Sequence, residues 1–529
     1  MTQSRSPLFE TLRERFGSQI QSMRPERDDE TYILLNGPDV RPIADYLRGE
    51  FGARVVTVFA EDRCSREGVF FNYYVFEQKG SSQYLILRCP VRADRPEFPS
   101  LAAQLPSVNW QEREIQDWFG LKAVGHPNPR RVALHDNWPD VHPLLKDFPI
   151  DTTLAPFEGE RHIYRPALGE GVFQVPVGPV HAGIIEPGHF NFAVAGEPIL
   201  YLQLRMFYTH KGTEKLFEKM PMQKAVFLAE SVSGDSSFSH GVAFCQALER
   251  AARVEVPLCA LVMRTILLEL ERIANHVGDI GAIATDVGFV VANAHASRLK
   301  ETLFQVNEEM TGNRLLRGMI CPGGVRRGWD ERTLNWLRRA VVGFGYEFEE
   351  LIELLDSSES MRDRLEQTGV LRPEKARDLG IVGVGGRASG IDLDVRRDHP
   401  YAAYSRYSFR VPVYEAGDVL HRMQVRIDEV RESLGIIRQA LADQHQGAFR
   451  IPLPTIPSDS CALSAVEGWR GEIIHWIRTG LDGHLERCKI KDPSLNNWPA
   501  LVEVVQGNII ADFPVINKSF NLSYSGTDR

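Results

Sequence analysis

The sequence predicts an α+β protein: an N-terminal α/β scaffold domain followed by a larger, mainly α-helical domain with a small β region. In the first part, short runs rich in Val, Ile, Tyr and Phe predict strands of one sheet at 32–35, 54–59, 70–76 and 84–88. In the second part, apolar residues at three- and four-residue steps predict long amphipathic helices over 258–277 and 423–441. Strands followed by helices favour separate domains of this class.

We divide the chain into three parts: 1–150, a linker at 151–175, and 176–529. Residues 1–30 are charged and predict a helix with a loose lead, whereas 101–105 and 110–119 predict helical segments. The linker lacks hydrophobic periodicity and is rich in Pro and Gly. After it, alternating apolar residues on both sides of Gly196 predict a β-hairpin.

Composition and charge exclude several classes of function. The formal net charge of -9 argues against general nucleic-acid binding, which needs a basic face. No apolar run approaches the ~18–20 residues of a membrane span, and no secretory signal is visible at the start. The seven cysteines are dispersed without a Cys-x-x-Cys pair, which fits a reducing cytoplasm and encodes no local thiolate metal site.

Several motifs follow one another in the first domain. They are Glu-Arg-Glu-x-x-Asp-Trp-Phe-Gly at 112–120, Gly-His-Pro at 125–127, Arg130-Arg131, and His-Pro-Leu-x-Lys-Asp at 142–147. In this order they resemble the 30 kDa subunit of respiratory complex I, which implies a structural scaffold without cofactors. The residues alone leave two interpretations open for the segment 109–120. It is either an ordinary amphipathic helix or, with the Pro-rich basic strap after it, a docking element for a partner.

A second set of motifs spans the large domain. It comprises Gly-Pro-x-His at 178–181, Glu-Pro-Gly-His-Phe at 186–190, His-Lys-Gly-x-Glu-Lys at 210–215, Gly-Gly-Val-Arg-Arg at 323–327, Arg-Ala-Ser-Gly at 387–390 and Thr-Asp-Arg at 527–529. Together they resemble the large subunit of group 4 membrane-bound nickel–iron hydrogenases of the formate hydrogenlyase type. They also resemble its relative, the 49 kDa subunit of complex I. The resemblance covers roughly residues 30–529.

In those hydrogenases, two Cys-x-x-Cys pairs hold nickel and iron, one early in the large domain and one at its C-terminal end. The resemblance places the early pair at Ser233 and Ser236 and the late pair at Ser523 and Gly526, so no ligand position carries sulfur. Soft metal states require soft thiolate ligands. We therefore expect no metal or other cofactor in this chain, and an iron–sulfur cluster in a partner subunit. Metal-loaded relatives lose a C-terminal peptide after a basic residue, and we expect no such step after Arg529.

The resemblance leaves a set of polar residues around the vacated positions. Glu186 and Asp286 are candidate catalytic residues in a proton relay, since shielding from water makes a carboxyl group keep its proton more readily. The candidate cavity residues are His181, His189, His210, Asp235 and His240. Ordinary loop positions are the alternative for the first two histidines. A hard-metal site built from Glu230, Asp235 and His240 is a further hypothesis, against satisfied buried polar groups.

Quinone reduction, as in complex I, is a second hypothesis with mixed support. Asp286 falls where the 49 kDa subunit places its acidic partner. The second histidine expected four residues after His181 is Ile185, and the expected tyrosine falls near Phe227 and Leu228. Both residues that bind the quinone headgroup are therefore missing.

The sequence as a whole predicts a fused scaffold and large subunit of a membrane-associated, hydrogenase-like energy-converting oxidoreductase complex without hydrogen chemistry. The resemblance implies an iron–sulfur small subunit, a ferredoxin-like subunit and integral-membrane antiporter-like subunits as partners, and no nucleic acid. We expect a cytoplasmic chain, peripheral on the inner face of the cell membrane. The alternatives are a subunit that reduces a quinone or another acceptor, and a non-catalytic assembly platform.

Overall fold

The computed structural model describes residues 7–78, 80–155, 158, 162–183, 185–443, 447–481 and 483–529. The chain divides into two compact units, Met1–His162 and Ile163–Arg529. The predicted α+β class is confirmed, since both units contain helices and strands. Five residues of the predicted linker, 156, 157 and 159–161, lie outside the described residues. Among the described helices, none is both long enough and apolar enough to cross a membrane.

The first unit is built on a five-stranded sheet with the order β1-β2-β5-β4-β3. Within this sheet β2 and β5 pair in parallel, and the other neighbouring strands pair antiparallel. The four predicted strands all lie in this sheet, and a separate parallel pair, β6 and β7, follows. The strands are β1 (Ile20–Arg27), β2 (Glu30–Leu35), β3 (Arg54–Arg63), β4 (Val69–Glu77), β5 (Tyr84–Arg92), β6 (Glu97–Pro99) and β7 (Lys122–Val124).

Two predictions for the first unit are wrong. The segment of β1 was expected in a loose lead, but it pairs antiparallel with β2 as an edge strand. None of its residues is fully buried, and its sequence lacks the apolar alternation that marks a half-buried strand. Residues 101–105 form a single turn instead of a helix, closed by a 2.8 Å hydrogen bond from Leu105 N to Leu101 O.

The charged residues of the helix at 109–119 are buried and hold the strap that follows. The helices of this unit are α1 (Pro7–Phe16), α2 (Arg41–Phe51), α3 (Cys64–Glu67) and α4 (Asn109–Phe119). On α4, Arg113 donates to the carbonyls of Arg130 and Arg131 at 2.7 and 2.8 Å. Asp117 Oδ2 accepts the backbone N–H groups of residues 132–134 at 2.8 to 3.2 Å. These contacts account for the charge pattern of the helix without a partner.

In the described part of the second unit, the strands form three small sheets. The order is β10-β9-β8 in one, β13-β14-β15 in another, and β11 and β12 form a short hairpin. The predicted hairpin around Gly196 is confirmed as β9 and β10, whereas the sheet of β13 to β15 was not predicted. The strands are β8 (Val172–Val177), β9 (His189–Ala195), β10 (Ile199–Arg205), β11 (Ile320–Cys321), β12 (Gly324–Val325), β13 (Cys461–Gly468), β14 (Gly471–Thr479) and β15 (Leu485–Lys491).

Helices make up most of the second unit. Both predicted long helices are confirmed, as α8 and α15, and α8 packs against α9 and α15. The helices are α5 (Thr213–Lys219), α6 (Met222–Ala229), α7 (Ser237–Ala252), α8 (Leu258–Asp286), α9 (Val290–Thr311), α10 (Glu331–Asp356), α11 (Glu359–Leu365), α12 (Pro373–Asp378), α13 (Gly383–Arg387), α14 (Val395–Asp398), α15 (Val419–Ala442), α16 (Pro493–Val504), α17 (Phe513–Phe520) and α18 (Tyr524–Asp528).

Buried charges tie α15 to its neighbours. Glu429 on α15 accepts hydrogen bonds from Arg387 at 2.8 Å, His276 at 2.8 Å and Arg272 at 3.3 Å. All four side chains are almost inaccessible to solvent. Burial alone would raise the pKa of Glu429, but the Arg387 guanidinium holds it well below its usual range. The carboxylate is thus charged, and its burial is tolerated because Arg387, His276 and Arg272 compensate the charge.

A close backbone approach fixes the turn between β13 and β14. Gly383 has φ +64°, and a Cβ built on it would lie 1.9 Å from the carbonyl oxygen of Arg470. Only glycine allows this contact and this conformation without strain. The turn that carries Trp469 and Arg470 is therefore held against the start of α13, which places both side chains at the site described next.

Candidate functional site

Two segments 290 residues apart meet through a pair of serine hydroxyls. Ser233 lies in the connection between α6 and α7, and Ser523 is the N-cap residue of α18. Their Oγ atoms are 2.8 Å apart, so one donates to the other. The structure therefore brings together one vacated position from each of the two motif segments.

The contacts of Ser523 hold it in place from three sides. Its N–H donates to Ser494 Oγ at 2.9 Å, and its carbonyl accepts Trp498 Nε1 at 3.3 Å. Its hydroxyl also accepts the N–H of Gly526 at 2.9 Å, which is the capping interaction of the helix. The hydroxyl at this expected ligand position thus serves as a helix cap.

The other two vacated positions offer no better donors. Ser236 Oγ lies 3.5 Å from Asp235 Oδ1. At Gly526, a Cβ would lie 2.6 Å from Asp492 Oδ2 and 2.8 Å from Ser523 Oγ, so there is no room for a side chain without displacing these groups. Neutral hydroxyls and one bare backbone position do not fit a nickel–iron centre, which needs thiolates.

An ion pair lies beside the serine pair. Arg470 donates to both oxygens of Asp235, each at 2.6 Å, and its Nε donates to the carbonyl of Asn521. Ser233 Oγ donates to the same carboxylate at 3.0 Å. Burial would raise the pKa of Asp235, but Arg470 and this hydroxyl lower it. The Asp235 side chain is still 41% exposed, so a charged acceptor at this site remains open to solvent.

Beneath Gly526 lies a fully buried chain of imidazole and carboxylate groups. His240 Nε2 is 3.2 Å from Asp492 Oδ2, and His240 Nδ1 is 3.0 Å from His475 Nε2. Burial, together with the neighbouring His240, lowers the pKa of His475 well below its usual value, so this ring is neutral. The arrangement can pass a proton between rings, since each imidazole has one donor and one acceptor nitrogen when neutral.

Three carboxylates hold the residues around α18. Glu186 Oε2 accepts the N–H of Ser525 at 3.0 Å. Asp528 accepts the N–H groups of Phe207 and Thr209 at 2.9 Å, and His210 Nδ1 lies 2.6 Å from the Asp528 carbonyl. The buried Arg529 side chain contacts Glu214 at 3.3 Å. His210 and Glu186 thus serve to position this helix.

The two remaining histidine candidates contact nearby loops and strands. His181 Nε2 lies 2.7 Å from the carbonyl oxygen of Gly188, and His189 Nδ1 lies 2.9 Å from the hydroxyl of Tyr164. Burial lowers the pKa of His189, and Arg205 adds to this shift. Both rings are therefore engaged in local hydrogen bonds.

Within the described residues, no hydrogen bond or ion pair joins Glu186 to Asp286. Asp286 ends α8, where burial raises its pKa although Lys518 opposes the shift. Its Oδ2 atom is buried without a hydrogen-bond partner among the described residues. Glu186 instead contacts α18.

The three residues of the hard-metal hypothesis, Glu230, Asp235 and His240, each contact different partners. Asp235 pairs with Arg470, His240 with Asp492 and His475, and Glu230 with the N–H of Gly318 at 2.9 Å. Across the described part of the chain, no group of three or more His, Cys, Asp or Glu side chains is placed to hold a metal ion.

Glu230 provides a pH-dependent prediction. Burial raises the pKa of Glu230 to about 7, although Gly318 and Arg326 oppose the shift. The folded chain then holds an extra proton between about pH 4.3, the usual value for glutamate, and pH 7. The contribution of Glu230 to the free energy of unfolding is fully present below about pH 4.3. It is lost as pH rises towards 7, because the folded chain must then release this proton at a cost.

We therefore expect the advantage of the wild-type chain over a Glu230→Gln variant to shrink by up to about 3 kcal/mol between pH 4.5 and 8. Urea unfolding at several pH values measures the difference in the free energy of unfolding. Glu350→Gln, at an exposed position of α10, is the control for general effects of pH. A difference that stays constant with pH would contradict the assignment.

The expected quinone-site positions carry no polar group. Ile185 is exposed, and Phe227 is 48% exposed with the Arg326 guanidinium 5.0 Å from its ring centre.

Sequence reasoning missed three residues of the site, Arg470, His475 and Asp492. Asp492 precedes a proline and caps α16, which is a recognisable helix start that could have drawn attention to it. The other two lie on a turn and a strand without any such signal.

Two family matches cover most of the chain. Residues 34–154 match the family described as respiratory-chain NADH dehydrogenase, 30 Kd subunit. Residues 286–460 and 453–529 match respiratory-chain NADH dehydrogenase, 49 Kd subunit. The order of the two matches is the one expected from the two sets of motifs.

Curated relatives extend the similarity over nearly the full length. Formate hydrogenlyase subunit 5 of Escherichia coli (strain K12) is 33% identical over 98% of this chain and 92% of its own. Hydrogenase-4 component G of the same organism is 34% identical over 96% of this chain and 88% of its own. The C/D subunit of NADH-quinone oxidoreductase from Phocaeicola vulgatus is 27% identical over 88% of this chain and 93% of its own.

The fold and these matches define an oxidoreductase-type subunit in which a 30 kDa domain precedes a 49 kDa domain. The chain belongs to the family that unites hydrogenase large subunits of the formate hydrogenlyase type with the C/D subunits of NADH-quinone oxidoreductase. The resemblance stated from the motifs is confirmed.

Proposed function

We propose that this chain is the hydrogenase-like large subunit of a membrane-associated, energy-converting oxidoreductase complex that has lost its nickel–iron site. One observation carries the proposal. The vacated positions that meet, Ser233 and Ser523, bond to each other, and Gly526 leaves no space for a ligand side chain. The chain couples an iron–sulfur small subunit to membrane subunits that translocate protons or other cations.

In this role, the polar groups of the site hold α18 and its neighbouring segments in place, and Glu186 exchanges a proton. Ser233 and Ser523 join the early segment to α18, and the Arg470–Asp235 pair holds the turn between β13 and β14 beside them. Protonation of Glu186 would weaken its charge-assisted hydrogen bond to Ser525 N. A proton-linked change at Glu186 would thereby loosen α18 and pass movement to whatever subunit lies against it.

The proposed partners are an iron–sulfur small subunit that carries the cluster, a ferredoxin-like subunit and integral-membrane antiporter-like subunits. The relatives are named as a subunit or a component, which supports membership of a larger assembly. We propose that the chain is cytoplasmic and peripheral on the inner face of the cell membrane, held there by these partners.

Reduction of a quinone or another acceptor at the vacated site is the second candidate function. The exposed part of the Asp235 side chain favours it, because a fixed carboxylate can accept a hydrogen bond from a small polar ligand. The direct Ser233–Ser523 hydrogen bond favours the third candidate, a non-catalytic assembly platform.

The proposal is tested by purifying the native complex in mild detergent through a tag on this chain. We expect an iron–sulfur subunit and integral-membrane subunits to copurify, with an electron paramagnetic resonance signal from a reduced cluster and no hydrogen uptake. Acceptor-dependent electron transfer that disappears in Asp235→Asn would favour the second candidate. Recovery of the chain without any other subunit would contradict the proposal.

Glu186→Gln is expected to reduce cation translocation in that complex by about tenfold or more, because Gln cannot exchange a proton at this position. Electron transfer to an artificial acceptor should fall much less. Translocation is measured in vesicles with a pH-sensitive dye. Glu197→Gln, at an exposed turn, is the control. Unchanged translocation in Glu186→Gln would remove Glu186 from the proposed relay.

A further inference from the structure

A large cleft in the second unit shares no residue with the vacated site. Its volume is about 1030 Å³. Its walls come from the start of α6, the β11–β12 hairpin, the turn between β14 and β15, and the extended run 450–458. None of the described lining residues takes part in the hydrogen bonds that join Ser233, Asp235 and α18.

One wall of the cleft is an extended segment with unused backbone groups. Pro452, Pro454 and Pro457 alternate with apolar and small polar residues and prevent this run from forming a regular strand. Within the described residues, no hydrogen bond involves the backbone groups of Leu453, Thr455 or Ile456. Such a wall offers N–H and carbonyl groups to an extended chain laid alongside it.

Apart from two arginines, the described lining of the cleft is largely apolar. Leu481 is 62% exposed at its rim, and Leu453 and Ile456 are half-buried in its wall. Arg326 and Arg450 are both exposed, and no described carboxylate lies within ion-pair distance of either. No described residue of the lining is acidic.

The fields of the two arginines converge on the floor of the cleft. Burial raises the pKa of the Cys321 thiol there, and Arg450 and Arg326 are the strongest groups that oppose this shift. Two guanidinium groups directed at one point favour an anionic complement there.

We infer that this cleft binds an extended segment of a partner protein in which carboxylate side chains alternate with apolar ones. The apolar positions would fill the space over Leu453 and Ile456, the carboxylates would pair with Arg326 and Arg450, and the backbone would pair with the run 452–456. Charge complementarity selects the acidic side chains, and the unused backbone groups select an extended conformation.

The shape of the cleft argues for a peptide over a small anion or a lipid surface. A small-ligand site places a few buried polar groups around one point, whereas both arginines are exposed and the remaining lining is largely apolar. Two cations provide only a weak electrostatic anchor for an anionic membrane. A concave groove also cannot lie flat on a bilayer.

Photocrosslinking in the native complex tests the inference. Leu453 is replaced by the photoreactive residue p-benzoylphenylalanine, and the crosslinked peptide is identified by mass spectrometry. Tyr346, which is exposed on α10, receives the same replacement as the control position. We expect Leu453 to capture one segment of one partner subunit, with Asp or Glu among its residues, and the control to capture none of it.

Charge reversal completes the test. Arg326→Glu combined with Arg450→Glu should lower the crosslink yield by about tenfold, and reversal of the captured carboxylates should restore it. Arg332→Glu, at another exposed position, is the matched control and should leave the yield unchanged. Capture of a lipid, of a segment without carboxylates, or of nothing would overturn the inference, as would a yield insensitive to charge reversal. These results do not depend on metal content or electron transfer. A failure of this inference can therefore be distinguished from a failure of the proposed function.

Discussion

Replacing Glu429 by glutamine is expected to lower the free energy of unfolding by about 3–5 kcal/mol. Glu429 accepts hydrogen bonds from Arg387, Arg272 and His276 in a region closed to solvent. Glutamine keeps the shape but removes the charge, so two buried guanidinium groups lose part of their compensation. Arg387 then keeps Glu467 at 2.8 Å, and Arg272 keeps Glu269 at 3.4 Å. Weaker compensation of desolvated charges is costly in a protein interior.

Urea unfolding followed by tryptophan fluorescence measures the effect, since Trp469 and Trp498 are buried in the second unit. Glu349→Gln is the matched control. Glu349 pairs with Arg431 at 2.7 Å, but both side chains are 40% exposed or more, so its loss should cost under about 1 kcal/mol. A Glu429→Gln variant as stable as this control would show that the buried network contributes little.

Gly526→Ala is expected to destabilise the second unit by about 1–3 kcal/mol and to loosen α18. The new methyl group would lie 2.6 Å from the carboxylate of Asp492 and 2.8 Å from the hydroxyl of Ser523. Both neighbours are fixed, one by His240 and the other by Ser233 and Ser494. The helix must therefore shift, and the Ser233–Ser523 hydrogen bond must lengthen.

Unfolding measurements and hydrogen exchange at residues 524–528 test this second prediction. Gly343→Ala is the control, because Gly343 is exposed on α10 with nothing within 4 Å of a built Cβ. There alanine should stabilise the chain by about 0.5–1 kcal/mol, through its higher helix propensity. If both variants behave alike, Gly526 is not constrained by packing, and a side chain at this position would be tolerated.

The periodicity of hydrophobic residues predicted the helices and strands that have one buried face. The strands at 54–59 and 70–76 and the helices α8 and α15 all show a clear period in the sequence. The sheet of β13 to β15 was missed for the opposite reason. Every residue of β14 is buried, including charged ones, so no alternation marks it.

Only the part of the site that lies in recognisable motifs was predictable from the sequence. The two segments with the serines were identified by resemblance, and their side chains meet in the structure. The partners that hold them, Arg470, His475 and Asp492, come from a third region of the chain. Contacts of that kind depend on the tertiary fold, and neither spacing nor composition reveals them. Glu186 and Asp286 remain candidates for a proton relay, and no hydrogen bond or ion pair joins them within the described residues.

Nickel content is the most direct measurement of the proposed loss of the metal site. The native complex is purified through this chain under anaerobic conditions, and nickel per chain is measured by inductively coupled plasma mass spectrometry. We expect far less than one nickel per chain, because no thiolate stands at any of the four ligand positions. About one nickel per chain would contradict the lost-site proposal and would make hydrogen turnover the next property to measure.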